Sequence, residues 1–243
     1  MPLHPLDGDV VGHHAPPPAA DADGGVAGAS AGTAARAGRF IRVDRKGQGP
    51  MRILAGLYKG RKLLPPPTSS QTRPITGAAK KSLFDLLGGR LEGAAVVDVY
   101  CGTGTLGLEA LSRGARACWF AERDRKVIER LRRNLEAVGA AGRCTVWPGD
   151  AARFLGRRLG EIGGPVDVAF VDPPYAAARQ WSWPRQVGTI FGPLAGHLAA
   201  EGVVVLRVPA GAEPPDPLGP LAVARRKRFG EMLLLLLGRS KAE

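Results

Sequence analysis

The residues best suited to chemistry form an Asp-Pro-Pro-Tyr run, Asp172 to Tyr175, directly after an apolar segment that ends at Val171. The two prolines fix the backbone and lack an N–H, so nearby carbonyl groups can point outward. Asp172 and the carbonyl of Pro173 are then two acceptors for the hydrogens of a base amino group. Holding both hydrogens helps the nitrogen lone pair to attack a methyl group, a reaction governed by orientation and electrostatics. Pro174 stiffens the turn, and Tyr175 offers a ring on which the base can stack.

A glycine-rich loop, Asp98 to Gly107, is the second feature that could take part in binding or catalysis. It joins the apolar run Ala95–Tyr100 to a helical segment, and open parallel sheets bind ligands at such junctions. Gly102 and Gly104 leave room for a ligand to approach the backbone. The same Gly-x-Gly-x-x-Gly spacing also fits a dinucleotide-binding fingerprint, so the glycines alone leave an NAD enzyme and a methyltransferase both open.

Carboxylates at the ends of consecutive predicted strands favour the methyltransferase. Asp98 lies inside the first strand, before Gly102, where a carboxylate suits the cationic α-amino group of a methionine moiety better than a pyrophosphate. Glu122 ends the next strand and is expected to accept hydrogen bonds from ribose hydroxyls. Asp150, with Ala151 after it, follows the third strand and is expected to meet an adenine edge. The set predicts S-adenosyl-L-methionine as the cofactor.

The elements that must position these residues alternate along the chain. Alternation of apolar strands with amphipathic helices predicts an α/β fold with a doubly wound parallel sheet. We predict a mostly parallel seven-stranded sheet with a C-terminal antiparallel hairpin turning at Gly230 and an N-terminal β-hairpin extension. The predicted strands are Ala95–Tyr100, Ala117–Glu122, Cys144–Trp147, Val166–Val171, Val203–Val208, Leu221–Lys227 and Glu231–Leu237. The predicted helices are Ala78–Leu87, Thr105–Ser112, Arg125–Val138, Ala151–Leu159 and Thr189–Leu198.

Composition divides the chain into three parts. Residues 1–50 are rich in Ala, Gly, Pro and Asp, and are expected to be a disordered low-complexity extension. Residues 51–76 are expected to form a β-hairpin and a basic linker that contacts RNA. Residues 77–243 are expected to be the methyltransferase domain.

The charge of the chain indicates a polyanionic partner. The formal net charge is +12, and nucleic acid is the commonest partner of so basic a protein. Seven basic residues and no acidic one lie between residues 51 and 82. Four of them are the predicted RNA contacts: Lys59, Arg61, Lys62 and Arg73.

Other function classes have little support in the composition. The three cysteines lack CxxC spacing, and three of the four histidines precede residue 15. A zinc site, a disulfide framework and histidine-based catalysis are therefore not expected. The chain opens without the basic and apolar regions of a secretory signal, and its longest apolar run, Met232–Leu237, is too short to span a bilayer. We expect a cytoplasmic monomer with no membrane partner.

Several runs in this sequence resemble a known family, the bacterial 16S ribosomal RNA (guanine-N2)-methyltransferases of the D type. The runs that carry the resemblance are residues 51–56 (MRILAG), 60–63 (GRKL), 72–76 (TRPIT), 82–84 (SLF), 106–115 (LGLEALSRGA), 122–124 (ERD) and 172–175 (DPPY). The family often has an acidic residue after the TRPIT run and an Arg-Glu pair before the Leu-Phe. Residues 77–81 here read GAAKK instead.

The resemblance implies a Rossmann-like S-adenosylmethionine methyltransferase fold. It also implies methyl transfer from S-adenosylmethionine to the exocyclic N2 of a guanine in 16S rRNA, either as naked RNA or in a 30S subunit assembly intermediate. It also implies that Asp98, Gly102, Gly104 and Glu122 contact the cofactor and that residues 172–175 form the active site. The residues themselves leave three alternatives open: a DNA adenine or cytosine amino-methyltransferase, a dinucleotide-dependent oxidoreductase, and a non-catalytic RNA-binding module.

Overall fold

The computed structural model describes residues 51–67 and 75–240. The predicted extension 1–50 and the predicted RNA contact Arg73 lie outside the described residues. The strands are β1 (Ala95–Val99), β2 (Ala117–Glu122), β3 (Cys144–Pro148), β4 (Val166–Val171), β5 (Leu198–Pro209), β6 (Leu221–Phe229) and β7 (Met232–Arg239). The α-helices are α1 (Gly77–Leu87), α2 (Thr105–Ser112), α3 (Arg125–Val138), α4 (Ala151–Gly160), α5 (Tyr175–Ala178), α6 (Trp183–Gln186) and α7 (Gly192–His197).

The strands form one seven-stranded sheet in the order β3-β2-β1-β4-β5-β7-β6. Neighbouring strands from β3 to β5 run parallel, whereas β7 is antiparallel to both β5 and β6. The predicted Rossmann-like class, with its C-terminal antiparallel hairpin, is confirmed. No helix in the described ranges is both long and apolar enough to cross a membrane.

Helices cover both faces of the sheet, so its central strands are buried on both sides. Every residue of β1 is buried, as expected for a parallel strand with helices on each face. On one face, which we call the α1 face, Phe84 of α1 packs with Phe170 of β4 and Leu234 of β7. On the other face, Leu155 of α4 and Leu194 of α7 belong to a second core.

The region before β5 differs from the predicted helix Thr189–Leu198. A π-helical turn, Val187–Phe191, precedes α7, and β5 begins already at Leu198. The β4–β5 pairing then shifts between Val166 and Val168. A shift of this kind accommodates extra residues without breaking the strand, which is why the strand extends further toward the N-terminus than its apolar core Val203–Val208 indicates.

The N-terminal hairpin, residues 51–64, has less strand structure than predicted. Its arms meet at a single antiparallel bridge between Arg52 and Lys62. Three backbone hydrogen bonds hold the arms together, from Leu63 N to Met51 O (2.9 Å), from Ile53 N to Arg61 O (3.1 Å) and from Gly60 N to Ile53 O (2.9 Å). The hairpin is therefore short, and most of its order comes from packing against the helices.

A buried carboxylate on α2 anchors this hairpin to the rest of the fold. Glu109 is fully buried and accepts hydrogen bonds from the backbone N–H groups of Leu54 (2.9 Å) and Ala55 (3.0 Å). The same carboxylate pairs with Lys80 of α1 (3.0 Å) and with Arg113 (3.1 Å). Buried charges need partners of this kind, so one side chain joins the hairpin, α1 and α2.

Candidate active site

Asp172 lies at the carboxyl end of β4, where the sheet holds the backbone in place. Val171, the last residue of β4, pairs with Leu206 of β5, and Asp172 N donates to Val99 O at 3.1 Å. The two prolines end the strand, and α5 begins at Tyr175. The four residues 172–175 therefore leave the sheet beside the end of β1.

Arg207 of β5 is the partner of Asp172. Its Nε donates to Asp172 Oδ1, and its guanidinium carbon lies 5.4 Å from the centre of the Tyr175 ring. Arg207 is only 7% exposed. Because a planar guanidinium can hold a carboxylate and cover an aromatic face together, Arg207 fixes two side chains of the tetrad relative to each other.

The buried pair influences the protonation of Asp172. Burial raises the pKa of Asp172, while the charge and the hydrogen bond of Arg207 oppose that rise. Burial lowers the pKa of Arg207, but attraction to Asp172 and hydrogen bonds with Asp172 and Tyr175 raise it overall, so the guanidinium stays protonated. Arg207 is thus the group that favours the ionised, acceptor-only form of Asp172.

The loop after β1 adopts conformations that suit glycine. Gly102 and Gly104 have φ values of +57° and +83°, which L side chains rarely adopt. A Cβ on Gly104 would lie 2.5 Å from a methyl group of Leu131, whereas a Cβ on Gly102 would meet no atom within 4 Å. Gly104 therefore allows tight packing against α3, and Gly102 leaves an open space that a ligand could fill.

Asp98 lies beneath this loop with half of its carboxylate unpaired. The residue is 1% exposed, and its Oδ2 accepts a hydrogen bond from Gly107 N at 2.9 Å. Its Oδ1 is buried and has no partner among the described residues. Burial raises the pKa of Asp98 to about 8, with Asp172 and Glu122 adding to the rise and the Gly107 bond opposing it. A buried carboxylate oxygen without a donor marks a place for a cationic or N–H-bearing ligand.

Glu122 at the end of β2 is held by backbone N–H groups. Its Oε2 accepts from Gly102 N (3.1 Å), and its Oε1 accepts from Arg123 N (2.8 Å) and Asp124 N (2.9 Å). These bonds fix the carboxylate beside the glycine loop. Since each carboxylate oxygen has two lone pairs, Glu122 can still accept hydrogen bonds from the hydroxyls of a ligand.

One pocket of about 300 Å³ brings the two sets of residues together. Six of the predicted site residues line it: Gly102, Glu122, Asp172, Pro173, Pro174 and Tyr175. Asp98 and Gly104 lie behind the loop and are not part of its wall. No group of three or more His, Cys, Asp or Glu side chains in the described ranges could hold a metal ion.

Asp150 and Ala151 do not line this pocket. The Asp150 carboxylate caps the N-terminus of α4 by accepting from Ala152 N at 3.1 Å, and Ala151 is 2% exposed. A side chain that caps a helix is already engaged in local structure. The contact of Asp150 with an adenine edge therefore stays a prediction.

The predicted RNA contacts that the structure describes lie on the hairpin. Lys59, Arg61 and Lys62 are all exposed, and Arg61 also donates to Ala137 O at the end of α3 (3.2 Å). Lys80, which belongs to the same basic stretch, is instead buried against Glu109. The basic stretch is thus divided between an exposed surface and an internal ion pair.

Arg207 and Tyr100 are among the pocket residues that sequence reasoning missed. Arg207 stands inside the apolar strand β5, and only the pairing of β5 with β4 brings it to Asp172. Tyr100 follows β1 with a φ of +62° and packs its ring 6.0 Å from that of Trp181. A charged residue within a predicted buried strand is a signal that could have identified Arg207, because such residues need a partner.

Comparisons with known proteins agree with this geometry. A family model described as conserved hypothetical protein 95 matches residues 51–238. The chain is 32% identical over 180 residues to YlbH of Bacillus subtilis, which carries the name of an rRNA methyltransferase; the match covers 74% of this chain and 94% of YlbH. It is 39% identical over 134 residues to ribosomal RNA small subunit methyltransferase D of Escherichia coli, covering 55% and 65% of the two chains.

A solved structure leads to the same group. The structure of yhhF from Escherichia coli, which carries a methyltransferase name, has a TM-score of 0.66 and 31% sequence identity, and the match covers 80% of this chain and all of that one. The resemblance to the D-type small-subunit rRNA methyltransferases is confirmed, and the chain belongs to the family described as conserved hypothetical protein 95.

Proposed function

We propose that this protein transfers a methyl group from S-adenosyl-L-methionine to the exocyclic N2 of a guanine in 16S ribosomal RNA. The observation that carries the proposal is the shared pocket, in which Gly102 and Glu122 face the same space as Asp172 and Tyr175. A site for a nucleoside cofactor and a site for a base amino group lie side by side there, as a direct transfer between them requires.

The cofactor half of the pocket fits S-adenosylmethionine. Asp98 has a buried carboxylate oxygen without a donor, which suits the α-ammonium group of the methionine moiety. Glu122 suits the two ribose hydroxyls, and the open space at Gly102 lets the ligand approach the backbone. When bound, this cofactor supplies a methyl group on a positively charged sulfur.

The target half of the pocket fits a base amino group. Asp172 accepts a hydrogen from the amino group, and the rigid Pro173 carbonyl is the second acceptor. The ring of Tyr175 stacks on the base, which contributes about 1–3 kcal/mol. Methyl transfer to the amino nitrogen would leave that nitrogen with a surplus proton, and Asp172 is the group that would take it. The raised pKa of Asp172 favours that step.

The choice of RNA and of guanine rests on the relatives and on charge. Two relatives carry the names of rRNA methyltransferases, one of them of the small subunit. The exposed cations of the hairpin, Lys59, Arg61 and Lys62, suit the phosphates of an RNA. A base within a stem must leave its stack to reach this pocket, unless it already lies in a loop. We further propose that the protein acts as a cytoplasmic monomer on 16S rRNA or on a 30S assembly intermediate.

The test is methyl transfer from labelled S-adenosylmethionine to 16S rRNA and to 30S particles that lack their own modification. Nucleoside analysis of the product is expected to give N2-methylguanosine, and the Asp172→Asn variant, which keeps the side-chain shape, serves as the inactive control. Label in DNA adenine or cytosine, with none in RNA, would overturn the proposed substrate. Absence of both cofactor binding and label would overturn the enzyme assignment.

A further inference from the structure

A second strongly cationic surface lies far from the hairpin in sequence. Strand β6 carries four consecutive basic residues: Arg225, Arg226, Lys227 and Arg228. All four are exposed, and β6 is an edge strand of the sheet. We call residues 225–228 the basic edge. Charged side chains on an edge strand also prevent pairing with other chains, so exposure and charge alone do not define a binding surface.

Strand register connects the basic edge to the active site. Arg207 pairs with Leu234 of β7, and Leu234 pairs with Lys227 of β6. Lys227 therefore lies in the same cross-strand row as the Asp172–Arg207 pair. Three strand spacings of about 4.8 Å place it about 14 Å from Asp172, which corresponds to about four nucleotides of a stacked strand at 3.4 Å each.

The basic edge also shares the α1 face with the hairpin. Lys227 Nζ donates to Ser82 Oγ of α1 at 2.7 Å and lies 5.2 Å from the ring centre of Phe229, which packs against the α1-face core. Ile53 and Leu63 of the hairpin belong to that same core. Both cationic surfaces thus border one face of the molecule.

The two surfaces lie over opposite halves of the sheet. The hairpin bonds to α2 through Glu109 and Ser112, and α2 packs on β1 and β2. The basic edge lies beyond β5 and β7. The pocket opens at the ends of β1, β2, β4 and β5. The hairpin reaches the pocket through Met51, while its Arg61 bonds to the end of α3. A strand whose target base enters the pocket can therefore extend over the basic edge on the β6 side.

The other side chains of the run border a groove of about 610 Å³. Arg226 and Arg228 line it together with Glu213, Pro214 and Leu233. Glu213 is the carboxylate of this groove, so two guanidiniums face one acidic group. The excess of positive charge continues past the α1 face and around the edge of the sheet.

We propose that the basic edge is a second RNA-binding surface, which holds phosphates on the β6 side of the pocket. This inference rests on the proposed function, because it assigns a further contact to the same RNA substrate. Four cations in one run, of which Lys227 shares a cross-strand row with the active site, fit a phosphate-binding role.

The test compares two double charge reversals with equal changes in net charge. Arg225→Glu/Lys227→Glu alters the α1-face half of the basic edge. Arg157→Glu/Arg158→Glu is the matched control, since both arginines stand in the last turn of α4, at the end of the sheet away from the pocket and on the face that does not carry the hairpin. The ion pair of Arg158 with Glu161 is on the surface and contributes little to stability. Affinity for transcribed 16S rRNA is measured against salt, and S-adenosylmethionine affinity reports an intact fold.

We expect the basic-edge variant to bind RNA at least about tenfold more weakly and its salt slope to decrease by about 1 to 2, while the control changes little. Arg225→Gln/Lys227→Gln, which introduces no repulsive charge, is expected to show the same decrease in slope. The inference would be overturned if both charge reversals lost RNA affinity equally, or if the salt dependence of RNA affinity were unchanged in the basic-edge variants. If the wild-type protein still forms N2-methylguanosine in that case, only the second RNA-binding surface is overturned and the proposed function stands. If the wild-type protein methylates no RNA, the proposed function itself is overturned.

Discussion

The two halves of the pocket hold their carboxylates in different ways. In the cofactor half, Glu122 accepts backbone N–H groups from the loops after β1 and β2, and Asp98, behind the glycine loop, accepts one from Gly107 in the first turn of α2. In the target half, Asp172 is held by the side chain of Arg207, which is 35 positions away in sequence. The cofactor half is therefore built by backbone geometry, and the target half by one buried ion pair.

The largest effect is expected from a substitution in the target half. Asp172→Asn removes the charge that we propose accepts the amino hydrogens and the proton, and kcat is expected to fall by about 100- to 1,000-fold. Single-turnover transfer to 16S rRNA measures this loss, and calorimetry with S-adenosylmethionine measures cofactor binding. Equal losses in both measurements would show that Asp172 acts on the cofactor and that the two halves are not separate.

The next effect concerns the cofactor half. Asp98→Asn is expected to weaken S-adenosylmethionine binding by about 10- to 100-fold, because a charged hydrogen-bond partner is lost, while kcat at saturating cofactor stays close to that of the wild type. Glu129→Gln, a change of an exposed carboxylate on α3, is the matched control. A large loss of kcat with unchanged cofactor affinity would contradict this assignment.

The same carboxylate predicts a pH dependence of binding. The pKa of Asp98 is raised to about 8, so near neutral pH the ligand-free carboxyl is mostly protonated. A bound ammonium group favours the ionised form, and binding therefore releases a proton. Affinity is expected to rise with pH between about 6 and 7.5, a range in which the ligand's own amino group stays largely protonated. Calorimetry in buffers of different ionisation enthalpy measures the proton release, which Asp98→Asn should abolish.

A smaller effect tests the ion pair of the target half. Arg207→Met removes the group that opposes the raised pKa of Asp172, so the acidic limb of the pH–rate profile is expected to move to higher pH. At neutral pH the rate is expected to fall by about tenfold. The charge of Asp172 also raises the pKa of Asp98. Measuring at saturating cofactor keeps the titration of Asp98 out of the pH–rate profile.

The control for that experiment is Arg207→Lys, which keeps the charge and should leave the acidic limb close to its wild-type position. If the acidic limb of the pH–rate profile does not move in Arg207→Met, Arg207 only fills space beside Tyr175. The ion pair would then not distinguish the two halves of the pocket.

The smallest effect lies outside both halves. Lys59→Glu/Lys62→Glu on the hairpin is expected to raise the KM for RNA by about threefold to tenfold, with kcat and cofactor affinity retained. These two lysines are preferable to Arg61, because Arg61 also bonds to α3. A fall in kcat instead would mean that the hairpin acts on the pocket itself.

The difference between the halves also explains what the sequence could predict. Asp98, Gly102 and Glu122 are each set by a strand end and the turn after it, and local patterns describe such features well. The bounds of β2, β4, α2 and α3 were predicted correctly for the same reason. The tetrad was identifiable as a motif, since two prolines after an apolar strand leave few other conformations.

The features that the sequence could not predict depend on tertiary pairing. Arg207 reaches Asp172 only because β5 lies beside β4. The local sequence pattern of β5 does not indicate which strand lies next to it. The position of the basic edge also needs the order of β7 and β6 in the sheet. Lysine usually lies on the surface, and the burial of Lys80 follows from its ion pair with Glu109 on another helix.

The position of Glu109 has a consequence for the opening motions of the molecule. If the hairpin detached alone, the buried carboxylate would lose the N–H groups of Leu54 and Ala55, and Lys80 and Arg113 would remain as its partners in a partly opened core. Leaving a buried charge short of partners costs several kcal/mol. The hairpin should therefore unfold together with α2, and the amides of Leu54 and Ala55 should exchange with solvent deuterium as slowly as those of the central strands. The segment that presents the hairpin cations is in this sense part of the cooperative core, not an arm attached to it.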